Sequence, residues 1–369
     1  MELDLSLNQR SVLELIRRHQ PVSRAELCGL SGLTSGALVR LTRELLYRGL
    51  IEIGEVVATG RGQPKQPLLI SSDGGFSVGV AFYPRQMDLV KIDFSGKVLR
   101  EVTHPFDDAP PAQTADFIGH AVRQFLGRPS VDSERCFGLG IAVPGYPTSD
   151  KSGLHTVEAL ASWRGSDMRQ LVSQATGLDV WVENIASAGA LAELYRQSSQ
   201  GPRNIIFLHI GYGVGAGLIV GGRLYRGCGG NAGEVGMFFP LSEPRPSALD
   251  FLETVNTSGK GYETLAEIDF LLQLNNPVAQ DWMDRASDQV AELAKVAKYW
   301  FAPDEFVVGG PFGDQFIAKF AEKLVHKISC IKDDMPPLSI RAAWAGQRVA
   351  AVGAAFLPIH HKCSPSPVA

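Results

Sequence analysis

The sequence predicts an α/β protein whose N-terminus carries a winged helix-turn-helix. Three observations indicate this. Helical periodicity interrupted by a short glycine-containing turn fills the first 48 residues, and two alternating apolar runs around a Gly/Pro-rich tip follow over residues 50–70. From Phe76 onward, strand-like apolar runs alternate with helical patterns, which is typical of an α/β fold. A chain of 369 residues is long enough for two or three domains.

The first two helices are predicted from periodicity and capping. Apolar residues recur at helical spacing over 9–19 and indicate an amphipathic helix. Ser23 and Glu26 have the spacing of a capping box, so a second helix is expected to begin there and to end near Leu30. The turn that follows contains Gly32, and a third helix after it would complete the helix-turn-helix pattern.

The third helix and the wing contain the candidate DNA contacts. The helix is expected to begin with Thr34 or Ser35 as its N-cap and to end at about Arg48. The tip of the wing is basic and suits an arm that reaches a minor groove and its phosphates. A three-helix module that contacts another protein is the alternative for this segment. The predicted DNA-binding residues are Thr34, Ser35, Arg40, Arg43, Arg61 and Lys65.

Charge and composition narrow the class of protein. Residues 1–70 hold nine Lys/Arg and seven Asp/Glu, which gives them a net charge of +2. Since the whole chain carries −4, the remaining residues carry −6. This sign is the one expected of a DNA-binding domain on an acidic body. No apolar run is long enough to predict a membrane span, and the N-terminus lacks the pattern of an export signal. The five cysteines are scattered, which favours a reducing, cytoplasmic location.

The most specific motif lies in residues 204–237. A strand-like run is followed by glycines at 211, 213, 215 and 217, by a second apolar run, and by Gly-Asn-Ala-Gly-Glu-Val-Gly at 230–236. A glycine-rich hairpin can approach a phosphate closely, although a hairpin without a ligand gives the same pattern. The whole span resembles the signature of the ROK family, the repressors and sugar kinases built on the actin-like ATPase fold.

The resemblance covers about residues 77–357 and implies a domain organisation. It implies a winged helix-turn-helix at 1–70, because the repressors of the family carry one there, and a linker at 71–77. A first lobe is then expected at 78–190, completed by about 345–369, and a second lobe at 191–344.

Compared with the sugar kinases of the family, the catalytic motifs have changed. The first phosphate loop of the family reads Asp-x-Gly-Gly-Thr, and the corresponding segment here begins at Ala81 and ends at Arg85 with Pro84, which has no N–H to donate. The catalytic aspartate that follows a conserved asparagine in the family corresponds to Ile185, which cannot accept a proton. Tyr212 stands where the kinases have a small residue, and its ring would either fill the γ-phosphate space or point away. We therefore expect no catalytic residues, no enzyme activity and no cofactor.

The zinc motif of the family has changed as well. The family's Gly-Glu-x-Gly-His corresponds to 233–237, where Met237 replaces the histidine. The three cysteines of the following motif correspond to Pro244, Pro246 and Phe251. Because all four thiolate and imidazole ligands are replaced together, the sequence predicts no metal site.

Four residues remain that the resemblance places beside a bound sugar: Gly145, Asn184, Glu234 and Glu253. Glu234 and Glu253 are expected to be partly buried carboxylates. The sequence as a whole predicts a ROK-type transcription regulator, a repressor that binds a double-stranded operator as a homodimer or higher homo-oligomer and responds to a sugar-like effector. Two alternatives are a carbohydrate kinase with a regulatory head, against which Ala81 and Ile185 argue, and a DNA-binding scaffold whose cleft binds no ligand.

Overall fold

The computed structural model describes residues 3–55, 66–127, 135–147, 154–156, 158–196, 203–257, 261–262, 264–268, 271 and 276–365. The N-terminal part consists of three helices and a two-stranded antiparallel sheet. Its elements are α1 (Leu7–His19), α2 (Arg24–Ser31), α3 (Ser35–Tyr47), β1 (Ile51–Ile53) and β2 (Leu68–Ile70). The three predicted helices are confirmed.

Local capping explains where these helices begin. Ser23 accepts a hydrogen bond from the backbone of Glu26, and the Glu26 carboxylate accepts one from the backbone of Ser23, so the predicted capping box is confirmed. Thr34 caps α3 by accepting from the backbone N–H of Ala37. Gly32 ends α2 with a φ of 66°, a left-handed conformation that glycine adopts readily. The turn between α2 and α3 is thus fixed at both of its ends.

The rest of the chain forms an α/β body. Its elements are β3 (Phe76–Tyr83), β4 (Gln86–Asp93), β5 (Val98–Pro105), α4 (Pro111–Leu126), β6 (Cys136–Val143), β7 (Gly145–Pro147), β8 (Leu154–Thr156), α5 (Met168–Thr176), β9 (Val180–Asn184), α6 (Ile185–Leu194), β10 (Ile205–Ile210), β11 (Val214–Val220), β12 (Arg223–Tyr225), α7 (Ala248–Asn256), α8 (Leu265–Ile268), α9 (Pro277–Trp300), β13 (Glu305–Gly309), α10 (Asp314–Ser329), β14 (Ile340–Ala342) and α11 (Val349–Cys363).

Two five-stranded sheets of the same topology form the centre of this body. The first has the order β5-β4-β3-β6-β9 and the second the order β12-β11-β10-β13-β14. In each sheet, the first three strands along the chain form an antiparallel meander, and two further strands join in parallel beside the first of them. The α/β class is therefore confirmed.

Small residues bring α11 and α6 close to each other and to the sheets. A Cβ on Gly140 of β6 would lie 1.8 Å from the carbonyl oxygen of Ala354 in α11, and one on Gly353 would lie 1.7 Å from that of Ala188 in α6. Either substitution would require the backbones to separate. Helix α11, at the end of the described chain, consequently packs against β3 and β6 of the first sheet.

The segment predicted as a linker is shorter than expected. Residues 72–74 form a 3-10 turn, and β3 begins at Phe76, so that 76 and 77 belong to the sheet. The reason is that both residues are buried and take part in strand pairing, Phe76 with Asp93 and Ser77 with Ile92. Among the described helices, none combines the length and the apolar character that crossing a membrane requires.

Candidate functional site

Helix α3 exposes one polar face. Leu38, Leu41 and Leu45 are buried against the other helices, which leaves the opposite side of α3 in solvent. The predicted contacts Thr34, Ser35, Arg40 and Arg43 are all exposed on that side or at the start of the helix. The exposed side therefore presents two hydroxyls and two guanidinium groups, which can donate to phosphates and base edges.

Arg40 forms an ion pair with Glu44 on this face. Its Nη1 lies 3.6 Å from Glu44 Oε1, and its side chain is 70% exposed. Such a surface pair contributes little to stability, so the guanidinium can exchange it for another acceptor. Arg61 and Lys65, the predicted contacts at the wing tip, lie outside the described residues.

The segment that corresponds to the first phosphate loop is part of a tight hairpin. Ala81 and Tyr83 lie within β3, and Tyr83 pairs with Gln86 of β4 across a two-residue turn. This turn consists of Pro84 and Arg85, and Arg85 has a φ of 61°. Because most backbone N–H and C=O groups here belong to the strand ladder, the hairpin lacks the open loop of N–H donors that cradles a phosphate.

Tyr83 and His209 fill the space between the ends of β3 and β10. Their rings are stacked, with centroids 6.3 Å apart and an angle of 21° between the planes. Both side chains are buried, and neither Tyr83 Oη nor His209 Nδ1 has a hydrogen-bond partner among the residues that the structure describes. Burial lowers the pKa of His209 to about 4 and raises the pKa of Tyr83 well above its usual value. At neutral pH the stack is therefore uncharged and offers no cation to a phosphate.

Sequence reasoning did not identify His209 as a site residue. It lies in a strand whose other residues are apolar, two positions before the glycine loop. A single polar residue within an apolar strand is the sequence feature that could have identified His209. Tyr212, in the loop itself, is half-buried and packs against two clusters of buried apolar residues, and burial raises its pKa.

The base position of the kinases is occupied by a buried aliphatic side chain. Ile185 is the first residue of α6 and is 6% exposed. The preceding Asn184 caps this helix: its Oδ1 accepts from the backbone N–H groups of Ala186 at 2.8 Å and Ser187 at 3.1 Å. Its Nδ2 donates to the carbonyl oxygen of Gly145 at 2.9 Å. Asn184 and Gly145, two of the predicted effector contacts, are thus brought together, and the second amide hydrogen of Asn184 makes no hydrogen bond within the described chain.

The two predicted carboxylates differ in their surroundings. Glu234 is half-buried, burial raises its pKa, and its carboxylate has no hydrogen bond to the described part of the chain. Glu253, in contrast, is exposed on α7, so the expectation that it is partly buried is wrong. The cause is the amphipathic pattern of α7, which buries Phe251, Leu252 and Val255 and directs position 253 to solvent.

A polar cluster surrounds the segment that the sequence analysis compares with the zinc motif of the family. Asp250 accepts hydrogen bonds from the backbone of Arg245 at 3.1 Å and from Trp282 Nε1 at 2.6 Å, and it forms an ion pair with Arg285. The Arg245 guanidinium donates to the carbonyl oxygen of Gly236 at 3.0 Å. These contacts join the segment around Gly236 to α7 and α9. Met237, at the position of the family's histidine, is 86% exposed.

Comparisons with known proteins agree on one family. Residues 85–243 match the ROK family. An uncharacterized protein, y4fQ, of Sinorhizobium fredii is 30% identical over 96% of this chain and 91% of its own length. The xylose repressor of Bacillus spizizenii is 28% identical over 62% of this chain and 59% of its own.

A solved structure of a ROK family transcriptional regulator, described as a homolog of the E. coli MLC protein, has a similar fold. It superposes with a TM-score of 0.72 at 20% identity and covers 97% of both chains. This similarity shows the fold. The relative that is 30% identical over 96% of the chain and the matched segment 85–243 lead to one conclusion: the chain belongs to the ROK family.

Proposed function

We propose that this chain is a cytoplasmic transcription regulator of the repressor type, which binds operator DNA and responds to a sugar-like effector without phosphorylating it. In this proposal, residues 1–70 are a winged helix-turn-helix, and the segment from 71 to the start of β3 at Phe76 connects it to a two-lobed, actin-like body. The first lobe is 78–190 with about 345–369, and the second is 191–344. The two sheets of equal topology support this division.

The observation that carries DNA binding is the exposed polar face of α3. Helix α2, the turn at Gly32 and α3 follow one another as in a helix-turn-helix, and the N-terminal end of α3 bears Thr34 and Ser35 in solvent. We assign α3 to the major groove and the tip between β1 and β2, with Arg61, to the minor groove. The relationship to a xylose repressor supports the same function.

A homodimer fits this mode of binding. Two copies related by a two-fold axis would place two α3 helices on a pseudo-palindromic operator, with half-sites separated by whole turns of DNA. An effector that changes the angle between the lobes would change the separation of the two heads and thereby the affinity for DNA.

The absence of phosphoryl transfer is inferred from two positions. A kinase needs a group that accepts the proton of the attacking hydroxyl and a loop that holds the phosphates. Ile185 is buried and aliphatic, and the hairpin at Pro84 replaces the first loop. A bound effector would therefore dissociate without having been phosphorylated.

For the effector site we propose Gly145, Asn184, Glu234 and Glu253. The half-buried Glu234 carboxylate supports this choice, since a carboxylate removed from water needs hydrogen-bond donors and sugar hydroxyls supply them. The free amide hydrogen of Asn184 is a second group suited to a hydroxyl oxygen.

DNA binding is tested with arginine variants and a fragment of the promoter region next to the gene. Arg40→Ala, Arg43→Ala and Arg61→Ala should each weaken binding, by about 1–3 kcal/mol where the side chain reads a base edge. Lys319→Ala, an exposed cation on α10, is the matched control and should bind like the unmodified protein. If all three arginine variants shift the fragment as well as the control does, the assigned surface is wrong. If the intact protein binds no such fragment at low salt, the proposed function fails.

A further inference from the structure

A cavity of about 400 Å³ lies where the N-terminal helices meet the body. On one side it is lined by α1 and the end of α2, and on the other by the ends of α6 and α11 and the turn between β11 and β12. Its volume is in the range of small-molecule sites. The lining contains none of the four residues proposed to bind the effector, so this cavity is distinct from the proposed effector site.

Two arginines of α1 connect this helix to the body beside the cavity. The Arg17 guanidinium donates two hydrogen bonds of 3.1 Å to the carbonyl oxygen of Phe94, and it lies 5.0 Å from the centroid of the Phe94 ring and 5.3 Å from that of Tyr195. Arg18 donates to the carbonyl oxygen of Gly222 at 3.4 Å. Helix α1 is thereby attached to both sides of the body that line the cavity.

The lining has a surplus of positive charge. Arg18 is paired with Glu14 at 2.6 Å, and Arg223 is exposed and has no ion pair within the described chain. Two arginines and one glutamate give a net charge of +1, because burial lowers the pKa of His360, the remaining titratable base of the lining, to about 3 and keeps it neutral. Leu15, Leu30 and Leu33 add an apolar surface to the same lining.

A buried nitrogen of the lining lacks a partner. His360 is 3% exposed, and its Nδ1 lies 2.9 Å from the hydroxyl oxygen of Tyr195. Its Nε2 is sealed from solvent and has no hydrogen bond within the described part of the chain. When the tyrosine hydroxyl donates to Nδ1, the neutral ring carries its hydrogen on Nε2, so the imidazole forms an uncharged part of the cavity wall.

We infer that this cavity binds a small organic anion, namely a carboxylate with a short apolar body. The carboxylate would meet the free guanidinium of Arg223, and the apolar part would cover the leucines of α1 and α2. The geometry gives such a ligand a direct route to α3, since Leu30, Ser31 and Leu33 of the lining immediately precede Thr34, which caps that helix. The effect on DNA affinity rests on the proposed function, whereas binding in the cavity does not.

Calorimetric titration of the full chain with benzoate and with hexanoate tests the site. Saturable binding at one site per chain is expected, and benzamide, which has the shape of benzoate without its charge, should bind at least tenfold more weakly. Arg223→Ala should weaken benzoate binding at least tenfold, and Leu30→Trp, which fills the cavity from an exposed position, should abolish it. The control Lys319→Ala should bind like the unmodified protein.

Hydrogen exchange gives a second readout that needs no DNA. Benzoate should slow the exchange of the α1 backbone amides, because it joins α1 to the body. The absence of saturable binding of both anions would overturn the inference, as would binding that neither Arg223→Ala nor Leu30→Trp reduces. If the chain binds benzoate but no operator, only the proposed function is refuted. If it binds an operator but neither benzoate nor hexanoate, only this site is refuted.

Discussion

Acidification should destabilise the body through His209, whose ring lies buried against Tyr83 between β3 and β10. In an unfolded chain this imidazole has an ordinary pKa of 6.5, and in the folded chain burial lowers the pKa to about 4. Between these two values the unfolded state binds more protons than the folded state does. The free energy of unfolding therefore falls as the pH is lowered from 6.5 towards 4.

The size of the effect follows from the two pKa values. At pH 5 the unfolded imidazole is almost fully protonated, whereas about a tenth of the folded one is. Going from pH 7 to pH 5 should thus remove about 2 kcal/mol of stability through this one residue. His360 and His361, whose pKa values burial lowers to about 3 and about 4, act in the same direction. The contribution of His209 must therefore be measured as a difference between two variants.

His209→Phe isolates that difference, since phenylalanine keeps an aromatic ring against Tyr83 and cannot titrate. Urea unfolding followed by circular dichroism at pH 7 and pH 5 gives the loss of stability for each protein. The loss should be smaller by about 2 kcal/mol in His209→Phe than in the unmodified chain. His326→Phe, at an exposed position of α10, controls for the removal of a histidine as such. Equal losses in His209→Phe and the unmodified chain would show that the ring is not held neutral between the two sheets.

Three further outcomes are expected. The purified protein should release no ADP from Mg-ATP with any hexose, and Ile185→Asp should not restore activity, since the hairpin at Pro84 remains; hexose-dependent ADP above a no-enzyme control contradicts this. Elemental analysis of protein purified without a metal-affinity tag should find less than one zinc per chain, and a 1:1 content would mean that the segment from Pro244 to Phe251 is misassigned. Glu234→Gln should abolish the response of DNA binding to a sugar effector and leave effector-free binding intact. If the variant still responds, the effector binds elsewhere. If the variant loses effector-free binding, Glu234 has a structural role.

The parts of the fold that could be predicted from the sequence are those that depend on near neighbours along the chain. The capping box at Ser23 and the N-cap at Thr34 each use contacts three residues apart, so their spacing alone indicated where α2 and α3 begin. The apolar periodicity of the three N-terminal helices was equally local.

Contacts between distant segments could not be predicted in the same way. The Tyr83–His209 stack joins strands of two different sheets, and the cluster at Asp250 joins α7 to Trp282 and Arg285 of α9. Neither pairing has a spacing that a sequence pattern reveals. The burial of Glu253 was mispredicted for a related reason: the family motif gave its position in the chain, but the apolar face of α7 decides which way that position points.

Compared with the sugar kinases of the family, this chain keeps Asn184 and Glu234 and changes position 185, and these residues contribute differently to the stability of the fold. Asn184 is kept, and its side chain makes three hydrogen bonds that begin α6 and tie it to Gly145, so its loss would cost the helix its cap whether or not a ligand binds. Position 185 begins the same helix in a buried setting where an uncharged side chain needs no partner, and isoleucine fits it without a charge to solvate. Retention of Asn184 is therefore weak support for effector binding. Glu234, half-buried and without a hydrogen bond to the described chain, costs the fold stability, which makes it the residue whose presence a ligand best explains.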